Sequence, residues 1–263
     1  MTVHDILTFV EILAPPSMKY DWDNVGLLCG SAGQEVHKIL VALDPFEGVC
    51  REAAEKGADL LVTHHPLIFR PRKSVTDGDD VGRSILFLAK HGISALNAHT
   101  NLDCAPGGVN DVLAETLGLA DVEVLDPLGV DGQGRPWGLL RAGTVAGQPL
   151  PQFLAHVKTR LQVQGLRYVD GGRPVRKVAV GGGACADELP AVLAAGCDTF
   201  VTADVKYNEF YDAKAEGVNL IDAGHFATEN PVVAVLAAKL RAAFPEIPVE
   251  CAETHRDYMN FYG

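Results

Sequence analysis

Short uninterrupted apolar runs alternate with stretches of helical period through the first hundred residues. "VHDILTFVEIL" (3–13) sets Ile6, Leu7, Val10 and Leu13 on one face at helical spacing, and Thr2 stands where an N-cap belongs, so a helix is predicted there. "KILVAL" (38–43), "ADLLVT" (58–63) and "GISALNA" (92–98) are shorter and apolar at successive positions, with helical patterns at 46–56 and 81–90 between them. Strands that are apolar on both faces must be covered on both faces, which predicts a parallel-rich sheet flanked by helices.

The second half follows the same logic. "DPLGVDGQGRPWG" (126–138) has no periodicity and reads as a connection or an edge. After it come a strand-like "GLLRAGTV", a helical "LPQFLAHVKTRL", strands at "RYVD" and "KVAVGGGA", a helix, "DTFVTAD", a helix, "GVNLIDAG", and a helix over about 228–242. No sequence repeat relates the two halves. At 263 residues the chain is long enough for one or two domains of the usual roughly 100–200 residues.

Composition narrows the function classes. A net charge of −12 opposes binding to a phosphate backbone, so nucleic acid is not an expected partner. No apolar run approaches the roughly 18 residues of a membrane span, and the amino terminus lacks a basic segment leading into an apolar one, so a soluble, cytoplasmic protein with no membrane partner is expected. The six cysteines (29, 50, 104, 185, 197 and 251) show no C-x-x-C spacing. Reduced thiols are expected, and a metal site would draw mainly on nitrogen and oxygen.

Polar residues gather where strands are predicted to end. His64 and His65 follow "LLVT", and Pro66 ends the strand there, which frees two adjacent imidazoles from pointing to opposite faces. "HTNLD" (99–103) follows "SALNA", "TADVKYNE" (202–209) follows "DTFV", and "GHFATE" (224–229) follows "NLIDA". Ligands of open α/β sheets bind at the carboxyl ends of strands. His225 and Glu229, four apart, lie one turn apart on one face if a helix begins near 225. His99 and Asp103 have the same spacing but are expected in a loop, where it fixes no geometry. Each motif alone also fits an ordinary cap or solvated loop. "GGGA" (181–184) fits either a tight strand-to-helix turn or an anion-binding nest of N–H groups, and Cys104 reads as packing.

Five blocks carry a resemblance: "WDNVGLLCG" (22–30), "LVTHHPLIF" (61–69), "NAHTNLD" (97–103), "TADVKYNE" (202–209) and "IDAGHFATE" (221–229). In order and spacing the chain resembles the GTP cyclohydrolase I type 2 homologues, the Nif-three-like family, over nearly its whole length. The resemblance implies an α/β fold of two α/β domains facing each other across a dinuclear metal site, here expected as residues 1–125 with 220–263 and a smaller domain of 126–219. It implies His64, His65, Asp103, His225 and Glu229 as ligands of two divalent ions (Zn, Fe, Mn or Co), and a homohexameric toroid built as a trimer of dimers. Two positions depart from the pattern of many members: Ala203 stands for a glycine and Asn208 for a histidine.

The expected function is a metal-dependent hydrolase acting on a small molecule, a nucleotide or a cyclic amide such as GTP. His65 and Asp103 would hold one ion, His64 and His225 the other, and Glu229 would bridge. His99 is the expected proton carrier, with Asn24, Asn101, Lys206 and Tyr207 as substrate contacts. The alternative is a metal-binding or metal-delivery protein without catalysis.

Overall fold

The computed structural model describes residues 1–262. In chain order the first stretch forms α1 (Val3–Leu13), β1 (Gly26–Cys29), β2 (Ile39–Ala42), α2 (Glu47–Glu55), β3 (Leu60–Thr63), α3 (Asp80–His91), β4 (Ser94–Asn97) and α4 (Thr100–Cys104). Then follow α5 (Val109–Thr116), β5 (Ala120–Leu125), β6 (Gly129–Val130), β7 (Pro136–Trp137), β8 (Leu140–Gln148), α6 (Leu150–Arg160), β9 (Arg167–Val169), β10 (Val175–Val180) and α7 (Leu189–Ala194). The chain closes with β11 (Thr199–Thr202), α8 (Tyr207–Ala215), β12 (Asn219–Asp222), α9 (His225–Glu229), α10 (Pro231–Ala243) and β13 (Val249–Cys251). The expected α/β class is what forms, with each predicted strand and helix close to its place.

Two compact units result, one of residues 1–102 with 233–256 and one of 103–232 with 257–262. These boundaries differ from the expected 125/126 and 219/220. The stretch at 126–138, expected as a connection or an edge, folds into the β6–β7 hairpin, and β5 before it pairs with β8 after it. Likewise β12 pairs with β11 in register from Thr199↔Asn219 to Thr202↔Asp222, so the chain from 219 to 232 stays in the second unit.

In the first unit the sheet order is β1-β4-β3-β2-β13. The pairings of β13, β2, β3 and β4 are parallel and only the β1 edge is antiparallel. Thr2 caps α1 through a reciprocal box with Asp5, and Val3, Ile6 and Val10 bury its apolar face. Leu40, Ala42, Leu61 and Ala95 of the sheet pack with Val49, Cys50 and Ala53 of α2 and Leu88 of α3.

The second sheet runs β5-β8-β10-β11-β12-β9, with β10, β11 and β12 parallel and the outer strands antiparallel. Alternation sorts its two faces. Val178, Val180, Val201 and Ile221 join Leu113 of α5 and Phe153 and Val157 of α6 in one core. Ala179, Phe200 and Leu220 join Leu189 and Val192 of α7 and Ala213 of α8 in the other.

Candidate metal centre

In the first unit the parallel strands β2, β3 and β4 end side by side, and the chain leaving each carries a polar group. Asp44 lies two residues beyond β2, His64 and His65 follow β3 directly, and His99 lies two beyond β4. The ladder continues briefly past β3, because His64 N donates to Ala42 O (3.3 Å) and His65 N to Leu43 O (2.8 Å), and then Pro66 stops it. The chain turns there, and both imidazoles reach one cluster with His99. Ring centroids are 5.0 Å apart for His64 and His65, 5.2 Å for His64 and His99, and 5.4 Å for His65 and His99. One ligand nitrogen from each of the three lies within 4.8 Å of the others, a group able to hold a metal ion.

Each ring is held by its Nδ1. His64 Nδ1 meets Ala98 O at 2.9 Å, His65 Nδ1 meets Asp44 Oδ1 at 2.6 Å, and His99 Nδ1 meets Asp23 Oδ1 at 2.8 Å. A carbonyl or carboxylate oxygen only accepts, so Nδ1 carries the hydrogen in every case and Nε2 is the atom oriented to ligate. Burial acts to raise the Asp23 carboxyl, but hydrogen bonds from His99 and Thr100 outweigh it and hold Asp23 well below the usual carboxylate range. Asp23 is therefore a fixed negative charge behind His99.

The expected loop at 99–103 is a short helix. Leu102 N donates to His99 O (2.7 Å) and α4 begins at Thr100. A single turn is too short to show apolar periodicity, which is why the pattern read as loop. Asn101 is buried and engaged with main chain on both ends of its amide, donating to Ala14 O (2.6 Å) and accepting from His99 N (2.8 Å). Asn24 donates to Ile68 O at 2.6 Å. Both amides brace the loops around the histidines.

In the second unit the same logic holds at the ends of β10, β11 and β12. Gly224 adopts φ +87°, which turns the chain out of β12, and α9 starts at His225 as the four-residue spacing required. His225 Nδ1 meets Asp204 Oδ2 at 2.7 Å, and His225 Nε2 lies 3.2 Å from Glu229 Oε2. Asp103 and Glu229 are both buried. Burial pushes the nearby Cys185 thiol far up, and the charges of Asp103 and Glu229 push it further, a measure of the negative potential that a cation would relieve.

The glycine run settles its two readings. Gly181 N donates to Val201 O (3.0 Å), Gly182 N to Asn110 Oδ1 (2.7 Å) and Gly183 N to Thr228 Oγ1 (3.0 Å). With its donors used internally, the segment is a tight turn and not an anion nest. Its glycines admit the site: a Cβ on Gly183, at φ +67°, would stand 2.3 Å from Glu229 Oε1 and 3.2 Å from His225 Nε2. Asn110 also donates to Asp103 O (3.2 Å), tying that backbone to the turn. The roles of Gly183, Asn110, Asp23, Asp44 and Asp204 are not predicted from the sequence, since each depends on a partner more than 20 residues away or on a backbone angle. Lys206 pairs with Glu209 (2.8 Å), and Tyr207 is 91 % exposed at the start of α8, with Asn208 exposed beside it.

Residues 1–257 match the family model DUF34/NIF3, NGG1p interacting factor 3. The chain is 37 % identical over 245 residues to a protein of Clostridium perfringens named GTP cyclohydrolase 1 type 2 homolog, covering 92 % of each. A Streptomyces coelicolor protein of the same name is 39 % identical, over 90 % of this chain and 84 % of that one. Among solved structures, a Bacillus cereus protein related to NIF3 superposes with a TM-score of 0.94 at 26 % identity, covering 100 % of this chain and 99 % of the other.

Proposed function

Because the chain belongs to the DUF34/NIF3 family, we propose that His64, His65, Asp103, His225 and Glu229 hold two divalent metal ions and that the protein is a metal-dependent hydrolase. Of these five, Glu229 would serve both ions. The observation that supports this reading is the shared posture of the histidines: His64, His65 and His225 each give Nδ1 to an oxygen acceptor and so present Nε2 as a ligand. Imidazole and carboxylate donors suit Zn, Fe, Mn or Co. Bound there, such ions polarise a substrate oxygen and lower the pKa of water toward neutrality.

The chain's own part in the reaction falls to His99. Its Nδ1–H is given to Asp23, which stays ionised and stabilises the imidazolium when Nε2 takes up a proton. The substrate class is a nucleotide or a cyclic amide such as GTP, the nucleotide that appears in the relatives' name. The working assembly is a hexamer, a trimer of dimers.

One observation favours the second reading, metal binding or delivery without catalysis. Asn101 and Lys206, which a catalytic pocket would use on substrate, are engaged with the protein itself. Turnover by the metal-loaded protein against nucleotides, phosphoesters and cyclic amides separates the two. Hydrolysis that falls in His99→Ala while metal content holds supports the hydrolase. A metal-loaded protein inert to the whole panel supports delivery.

A further inference from the structure

Beside the three histidines of the first unit stands a group of aromatic rings that the metal reading does not use. Trp22 is 60 % exposed and Phe69 47 % exposed, high values for rings of this size. Tyr20 stacks on Trp22 at 5.7 Å and 9°. Phe69 stands edge-on to Trp22 at 5.8 Å and 74°, and His99 lies 6.3 Å from Trp22 and 6.1 Å from Phe69, also at steep angles. The result is a floor, the indole, backed by Tyr20, and a wall, Phe69, at the edge of His99.

These exposed rings ride on locked backbone. Asp23, next to Trp22, accepts from Asn24 N (2.8 Å), from Thr100 N (3.0 Å) and from the Thr100 hydroxyl (2.5 Å). Tyr20 N donates to Thr100 Oγ1 (3.1 Å). Asn24 bonds Ile68 O, next to Phe69, and Asn97 Nδ2 bonds Asn24 O (3.1 Å), so the loop of Trp22 and the loop of Phe69 are fastened to each other. Order of this kind around exposed apolar rings is what a preorganised stacking surface needs. Charge adds a second, independent observation. Phe69 is followed by Arg70 and Lys73, exposed cations that make no ion pair among the described residues, in a chain of net charge −12.

We propose that Trp22 and Phe69 form a stacking platform for a planar heterocycle whose substituent carries an anionic group met by Arg70 and Lys73, a nucleotide being the simplest such ligand. The assignment rests on the metal reading only in that it sets the ring beside His99. Stacking and aromatic edges recognise the ring whatever its substituents, as base-binding aromatics do, and the cations recognise the charge.

Trp22 and Trp137 are the two tryptophans of the chain, so Trp137→Phe leaves Trp22 as the fluorescent reporter. Guanosine monophosphate, guanosine and ribose phosphate are titrated into that variant, metal-loaded and after chelation. The platform predicts saturable quenching by the nucleotide, weaker quenching by the nucleoside and none by ribose phosphate. Calorimetry on Trp22→Ala and Phe69→Ala is expected to show affinity for the nucleotide about 5- to 150-fold lower, with Trp22→Phe retaining most of it and metal content unchanged. Quenching that survives chelation supports the platform even if the metal reading fails, so the two failures are distinguishable. Absence of saturable quenching, or affinity unchanged in both alanine variants, overturns the proposal. An unchanged affinity with a smaller particle in light scattering overturns it too, by making a second copy of the chain the occupant. Equal affinity for nucleoside and nucleotide removes Arg70 and Lys73 from the assignment.

Discussion

At the scale of single residues, the proposed metal centre would depend on side chains outside its ligand set. Gly183 is the sharpest case. Alanine there must adopt φ +67° and place a Cβ 2.3 Å from Glu229 Oε1, so it combines backbone strain of roughly 1–2 kcal/mol with displacement of the Glu229 carboxylate. Gly183→Ala is expected to lower metal affinity about 10-fold or more, read by competition with a chelating dye, and to lower the melting temperature as well. His99→Ala is expected to lower turnover by about 10² to 10⁴ while both ions stay bound, the usual range for loss of a general acid or base. Asp23→Asn should move turnover in the same direction, because an amide cannot stabilise the imidazolium as an ionised carboxylate does. If the departure at Asn208 costs a proton carrier, Asn208→His raises turnover without changing metal content. An amide does not exchange protons at neutral pH.

At the scale of elements, one anchor carries a clear pH signature. Glu52 on α2 accepts from the backbone of Glu253 (2.8 Å) and Thr254 (2.8 Å) and from the Thr254 hydroxyl (2.5 Å), fastening the segment after β13. Burial acts to raise this carboxyl, but those hydrogen bonds and Lys56 outweigh it and bring it from 4.5 down to about 2. A folded value below the unfolded one means the contribution is fully present above about pH 4.5 and is lost as pH falls toward 2. Urea titrations across that window are expected to show stability falling with acid, and Glu52→Gln should flatten the slope and destabilise the protein at neutral pH. An unchanged slope would remove Glu52 as the anchor.

The elements were largely legible in the sequence, because continuous apolar runs such as "KILVAL" and "ADLLVT" have few alternatives to buried parallel strands. The domain boundary was not. Gly and Pro at 126–138 mark a hairpin as readily as a linker, and only the pairing of β5 with β8 decides between them. The short helix α4 escaped for want of a second turn. Of the candidate site, the histidines and carboxylates showed through their places at strand ends. The acids that orient the histidines did not, since Asp44 and Asp23 reach His65 and His99 across 21 and 76 residues of chain.

At the scale of the whole molecule, the proposed hexamer must pack six chains of charge −12 each, which requires contact faces that are apolar or locally neutral. Light scattering is expected to give a mass near six times 28.0 kDa. A concentration-independent monomer would contradict the assembly and leave the fold untouched. Elemental analysis of protein purified without chelator and then reconstituted decides whether the proposed metal centre exists. A content approaching two divalent ions per chain is expected, with Glu229→Gln disturbing both and His225→Ala emptying mainly one. A content near zero after reconstitution would contradict it.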